Sequence, residues 1–176
     1  MGDLHKKYQE FKKLYLDELG VELSDQQAEE LARRLVHQLN LVGVLAVEMF
    51  ITKNGDLLIN EIAPRVHNSG HHSIEANFTS QFEQHLRCIM DLPLGITDIT
   101  SPSVMVNILG DEGFEGPAKY EGVEDALALG GVYIHLYGKE VTKPFRKMGH
   151  ATIIDRDINV ALSKARAVKD VIKVRA

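Results

Sequence analysis

Two glutamates that the chain brings together by strand pairing carry the most chemistry. The stretch Val42–Gly70, VGVLAVEMFITKNGDLLINEIAPRVHNSG, reads as two apolar strands joined by a tight turn and running into a polar loop. Asn54-Gly55 between apolar runs is a strong hairpin signal, because both residues accept the positive φ of a type I′ turn. With Asn54 and Gly55 as the two loop residues, Lys53 pairs with Asp56 and Glu48 falls directly across from Glu61. Directly opposed residues have Cβ atoms roughly 4.5–5.5 Å apart on one face of the ladder. Two carboxylates so placed in apolar strands repel each other and are costly to desolvate. Protonation of one, a neutralising arginine or lysine, or a bridging divalent cation relieves the pair. Hard oxygen ligands on facing strands suit Mg²⁺, which takes one or two carboxylates together with substrate phosphates. The bland alternative is an exposed strand edge with ordinary surface glutamates, and a register slip or bulge removes the pairing altogether.

The loop after the second strand adds to the case for a site. Arg65, His67, Asn68, His71 and His72 cluster just past Pro64. Arginine offers a planar fork of donors to carboxylate or phosphate, and histidine handles protons near neutral pH. Gly70 permits close backbone approach. His67, His71 and His72 form H-x-x-x-H-H, a zinc alternative that lacks cysteine and the H-E-x-x-H pattern.

These residues carry a family resemblance. GVLAVEMF and LLINEIAPRVHNSGHHSIEANFTSQFEQHLR, with FRKMGH further on, resemble the C-terminal part of the N5-carboxyaminoimidazole ribonucleotide synthases, ATP-grasp ligases of purine biosynthesis. The likeness runs from about Ser24 to the C-terminus. Val66 departs from it, standing where the family usually has proline. The resemblance implies that ATP, bicarbonate and 5-aminoimidazole ribonucleotide are the substrates. It makes Glu48 and Glu61 the ligands of Mg²⁺, Asn60 and Glu61 nucleotide contacts, and Arg65 and His67 the catalytic pair that handles bicarbonate or carboxyphosphate. It makes Asn68, Lys139 and Arg146 substrate contacts, the last two at a phosphate. It also implies a cytoplasmic homodimer, and it leaves the family's N-terminal domain and lid upstream, so that this chain alone is expected not to turn over ATP. Two alternatives remain: an inactive metal- and phosphate-binding fragment, or another enzyme. The latter is an ATP-grasp relative such as the formate-dependent glycinamide ribonucleotide transformylase, or a metal-histidine hydrolase.

The elements that must position these groups follow from patterning. In 176 residues, 44% hydrophobic and 26% charged content is ordinary for a globular protein, and a net charge of −5 disfavours nucleic acid as a generic partner. Cys88 is the single cysteine, which excludes an internal disulfide and fits a reducing compartment. No run is long and apolar enough to suggest a membrane partner. Asp3–Leu19 has helical spacing, Ser24–Gln27 matches a capping box, and Ala28, Leu31, Ala32, Leu35, Val36 and Leu39 form a stripe expected to pack on the hairpin. Ser80 and Glu83 open another helix, with Phe82, Leu86 and Ile89 expected inside and His85 and Arg87 at the surface. Strands are expected at Val104–Leu109, Val132–Tyr137, Ala151–Ile154 and Val171–Val174, and helices at Val123–Leu129 and Ile158–Val168.

The fold class expected is α+β. Residues 1–23 form an unassigned helix, 24–95 the C-terminal half of an ATP-grasp domain, and 96–176 a small α+β or barrel-like subdomain. Leu94–Pro102 reads as the linker. Gly138–His150 reads as a shaped basic loop, with Lys139, Lys143, Arg146 and Lys147 set against Glu140. Lys139 and Arg146 are expected to face the Arg65–His67 loop.

Overall fold

The computed structural model describes residues 25–176, which divide into two compact units: residues 25–70 with 79–98, and residues 71–78 with 99–176. The helix expected at Asp3–Leu19 and the serine of the Ser24–Gln27 box lie outside the described residues. Residues 71–78 fall with the C-terminal unit, although the boundary expected from sequence lay at 95/96.

The first unit holds α1 (Asp25–Leu39), an antiparallel hairpin of β1 (Ala46–Ile51) and β2 (Leu57–Ala63), a 3₁₀ turn at Asn68–Gly70, and a later helix (Gln81–Ile89). The hairpin loop is one residue longer than expected. Thr52 N–H donates to the Asp56 carbonyl at 2.9 Å and Gly55 N–H to the Thr52 carbonyl at 3.0 Å, so Lys53, Asn54 and Gly55 form the loop. Gly55 takes φ 88°, the left-handed position that closes a three-residue hairpin. The expected Lys53–Asp56 pair is therefore absent. The helix at Gln81–Ile89 begins as the sequence implies, with Ser80 Oγ accepting from Glu83 N–H at 3.2 Å. Its apolar face is not covered among the described residues: Phe82, Leu86 and Ile89 are all exposed, as are Val36 and Leu39 of the α1 stripe. Its histidine is not a plain surface residue either. His85 Nδ1 accepts from Val44 N–H at 3.3 Å, and its ring lies where a side chain on Gly43 would clash.

In chain order, the helix at Ser73–Ala76 is α2, that at Gln81–Ile89 is α3, that at Val123–Ala128 is α4 and that at Ile158–Val171 is α5. The second unit is built on a three-stranded antiparallel sheet in the order β3 (Ser103–Leu109), β8 (Lys147–Ile154), β6 (Val132–Leu136). Two short ribbons accompany it, β4 (Gly116–Pro117) with β7 (Val141–Thr142), and β5 (Lys119–Glu121) with β9 (Lys173–Arg175). The two-residue strands β4 and β7, and β5, carry no legible period and were not expected. Gly138–His150 is not one loop: β7 lies within it and β8 starts at Lys147, four residues before the strand expected at Ala151.

Helix α5 starts at Asp157, whose carboxylate accepts from Asn159 N–H at 2.8 Å. Ala161, Ala165 and Val168 recur at helical spacing, and all are buried against Ile108, Val132, Met148, Ala151 and Ile153 of the sheet. Small alanines let helix and sheet approach closely, and Met148 belongs to the same buried cluster. Met148 is fully buried, whereas Phe50 of the hairpin is exposed. Met148→Ala should lower unfolding free energy by about 2–5 kcal/mol in urea titrations. Phe50→Ser should stay within about 0.5 kcal/mol of the parent.

Candidate functional site

The three-residue turn shifts the strand register by one, and a bulge shifts it back. Ile51 pairs with Leu57 and Met49 with Ile59, after which the register slips between Glu48 and Met49 and Glu48 pairs with Glu61. Asn60 is the extra residue. Two departures from the simple hairpin thus cancel at Glu48, and the carboxylates oppose each other as the spacing implied. Bulges re-aim side chains beside functional sites, and this one brings Asn60 to bear: its Nδ2 donates to Glu48 Oε2 at 3.2 Å.

His67 completes the group. Glu48, Glu61 and His67 each offer one ligand atom, and these atoms lie within 4.8 Å of one another. His67 Nε2 is 3.6 Å from Glu48 Oε1. Ser69 backbone N–H reaches His67 Nδ1 at 3.4 Å and Ser69 Oγ lies 2.8 Å from it. A backbone N–H can only donate, so Nδ1 accepts and a neutral ring carries its proton on Nε2, facing the carboxylates. That tautomer suits a hydrogen-bond donor to a carboxylate or bound anion better than a metal ligand. The three histidines of the H-x-x-x-H-H spacing are divided between the units, His67 in the first and His71 and His72 in the second.

The loop is held by a residue that sequence reasoning missed. Gln81 Oε1 accepts from His67 N–H at 2.9 Å, and Gln81 Nε2 donates to the His67 carbonyl at 2.8 Å. One amide thus clamps the backbone of His67 from both sides, and the missing side chain of Gly70 leaves room for it. The only signal was an amide at the first position of the helix, which reads equally well as part of the helix start. Arg65 is exposed; its Nη1 donates to the Val66 carbonyl at 2.9 Å. Asn68 opens the 3₁₀ turn.

In the second unit, Lys139 and Arg146 are half-buried while Lys143 and Lys147 are exposed. Each of the first two binds backbone of its own segment: Lys139 Nζ donates to the Lys147 carbonyl, and Arg146 Nη1 to the Val141 carbonyl at 2.7 Å. Nearby lies a histidine cluster that the sequence did not announce. His150 stacks on its cross-strand partner His135 with ring centroids 4.5 Å apart, and His71 lies 4.8 Å from it. His135 Nε2 meets Glu75 Oε1 at 2.6 Å, and Tyr137 Oη lies 3.0 Å from His150 Nδ1. Burial first, then the neighbouring His135 and His71, pull the His150 pKa down to about 4, and burial pushes the Tyr137 phenol up.

An exposed histidine titrates near about 6.5, so the unfolded chain binds a proton that folded His150 refuses, and stability should fall as pH drops from about 6.5 toward 4. Nuclear magnetic resonance titration should find the His150 ring neutral at pH values where the unfolded chain is protonated. His150→Gln should flatten the stability slope in that window.

Comparison with known proteins gives this geometry a context. Residues 6–82 match the ATP-grasp domain, and residues 103–164 match the phosphoribosylaminoimidazole carboxylase C-terminal domain. N5-carboxyaminoimidazole ribonucleotide synthase of Bacillus subtilis is 51% identical over 129 residues, covering 73% of this chain and 32% of that protein. The Aquifex aeolicus protein of that name is 44% identical over 147 residues, covering 84% of this chain and 39% of its own. The crystal structure of the synthetase from Thermotoga maritima superposes with TM-score 0.79 at 54% identity, covering 86% of this chain and 42% of that one. The enzyme from Aspergillus clavatus, solved with ADP and 5-aminoimidazole ribonucleotide, gives TM-score 0.71 at 39% identity over 82% of this chain and 39% of its own. The chain therefore spans about a third to two-fifths of these relatives. The chain is similar to N5-carboxyaminoimidazole ribonucleotide synthases over that share of their length, with an ATP-grasp match followed by a phosphoribosylaminoimidazole carboxylase C-terminal domain match.

Proposed function

We propose that this chain supplies metal-, carboxyphosphate- and ribonucleotide-binding residues to a ligase that carboxylates 5-aminoimidazole ribonucleotide. The reaction consumes ATP and bicarbonate and gives N5-carboxyaminoimidazole ribonucleotide, ADP and phosphate. The convergence of Glu48, Glu61 and His67 at the bulged hairpin carries this reading. Two facing carboxylates and a histidine that keeps its proton on the near nitrogen fit Mg²⁺ held through oxygen. When bound, that ion would neutralise charge on the transferring phosphoryl group.

The chain's own residues have separable tasks. Glu48 and Glu61 hold the cation, and Asn60 restrains Glu48 and borders the nucleotide. Arg65, exposed beside Pro64, presents its fork to bicarbonate and then to carboxyphosphate. His67 Nε2–H donates to the same anion, with Asn68 beside it. Lys139 and Arg146 take the phosphate of the ribonucleotide as a point charge and a bidentate fork. The ribonucleotide's amine attacks carboxyphosphate, or the CO₂ released from it. No helix among the described residues is long and apolar enough to cross a membrane. With a single cysteine, this fits a cytoplasmic enzyme, for which a homodimer is the assembly proposed.

A second reading is that this chain by itself binds but does not turn over. Phe50, Leu58, Ile59 and Ile62 of the hairpin are exposed, and the chain spans only part of its relatives. Positioning and exclusion of water supply much of phosphoryl transfer.

Two measurements test these roles. With Mn²⁺ as a spin probe for Mg²⁺, binding to the chain should be weak alone, tighten with ATP, and vanish in Glu61→Gln. Nucleotide-independent binding would place the metal elsewhere. In the complete enzyme, with ribonucleotide varied at saturating ATP, Arg146→Ala should mainly raise KM and Arg65→Ala should mainly lower kcat. Unchanged constants in both variants would refute the assignment.

A further inference from the structure

A lysine is a poor anchor when it stands alone. Its four-carbon stem is flexible, and fixing it on binding costs rotamer entropy. Lys139 is already restrained. Its ammonium lies over the ring of Tyr137, 5.5 Å from the centroid, within the range of a cation–π contact. One of its three donors goes to the Lys147 carbonyl. The ring beneath it is restrained in turn, because the Tyr137 hydroxyl lies 3.0 Å from His150 Nδ1. His150 is 3% exposed, sits in the central strand β8, and packs against both His135 and His71. Its Nε2 is buried without a partner among the described residues, so Tyr137 is the one polar contact recorded for this ring. The sheet core thus reaches the surface cation through two side chains: His150 holds the hydroxyl of Tyr137, and the face of Tyr137 holds Lys139.

We propose that Tyr137, tethered by His150, is a positioning residue that sets Lys139 in place for an anionic phosphate before the ligand arrives. The inference rests on the reading of Lys139 as a phosphate anchor and adds the device that orients it. Neutral imidazole and un-ionised phenol are the forms that burial favours at both groups, so the tether holds across the neutral pH range. Tyr137 touches no substrate in this scheme; it acts by lowering the ordering cost of the lysine.

The test uses this chain labelled with ¹³C-lysine and ribose 5-phosphate as the probe. In the parent, the Lys139 ε-methylene resonance should be shifted upfield by the ring. Tyr137→Leu should abolish that shift, and Tyr137→Phe, which keeps the ring but releases it from His150, should reduce it. Lys139→Ala should weaken ribose 5-phosphate binding by about tenfold, the worth of a charge-assisted contact. Tyr137→Leu should weaken it by about two- to fivefold, the worth of an exposed cation–π contact, and Tyr137→Phe should weaken it by less. The double variant Tyr137→Leu/Lys139→Ala should bind no worse than Lys139→Ala alone, since a residue acting only through Lys139 has nothing left to position. Additive losses in the double variant, or a Lys139 resonance unmoved by Tyr137→Leu, would overturn the positioning role and leave the anchor standing. Parent-like binding by Lys139→Ala would overturn the anchor itself and, with it, the function assigned to Tyr137, even if the ring-current shift is present.

Discussion

Opposed carboxylates on paired strands are unfavourable by themselves, and the first unit is arranged so that they meet anyway. Like charges directly across a ladder destabilise it. Here the strands approach from a three-residue turn that would leave Glu48 opposite Asn60, and the bulge moves Glu61 into that place. The inserted Asn60 then donates to one of the two carboxylates, and His67 presents a nitrogen to the same residue. Each neighbour is of the kind that tolerates negative charge: an amide donor and an imidazole N–H. The Gln81 clamp on the His67 backbone holds the imidazole in that arrangement.

The second unit solves a different problem with one sheet. One face of β8 presents Ala151 and Ile153 to the alanine-lined surface of α5 and makes an apolar core. The other carries His150 and Thr152, both buried, with Asn107 and His135 beside His150 on the flanking strands. Residues 71–78 belong with this polar face: Glu75 meets His135, His71 meets His150, and Thr100 N–H donates to the Ala76 carbonyl at 2.7 Å. A stretch that continues the Arg65–Gly70 loop in sequence is therefore anchored by histidines and a glutamate from far along the chain. Glu75–His135 and Tyr137–His150 link side chains across this face, while Asn107 Oδ1, His150 Nε2 and Thr152 Oγ1 are buried without a partner among the described residues.

Packing is uneven between the units. The second has a closed core from Ile108 to Val174, with several side chains wholly inaccessible. In the first, the hairpin and the helix at Gln81–Ile89 turn large apolar side chains to the surface of the described residues. Such surface normally marks an interface, and the share of the relatives that this chain spans is in keeping with that. The sequence expected Phe82, Leu86 and Ile89 inside because helical periodicity identifies an apolar face without identifying what covers it.

The sequence by itself determined the hairpin, the cap at Ser80, the order of the longer strands and helices after residue 100, and the motifs that place the chain among its relatives; it reached the opposition of Glu48 and Glu61 through a two-residue turn that the structure does not have. These are local properties: turn chemistry, side-chain period, and residue types within a few positions of each other. Only the tertiary structure decided the rest. It set the true turn length and the compensating bulge, since a bulge is chosen by what both strands must satisfy at once. It turned half of the presumed basic loop into strand, because Val141–Thr142 and Lys147–His150 become strands only where Gly116–Pro117 and β3 offer them partners. It brought together Glu75, His135, Tyr137 and His150, whose proximity comes from strand pairing and helix docking rather than from spacing along the chain. Contacts of that kind depend on the closed fold, and no periodicity in the sequence encodes them.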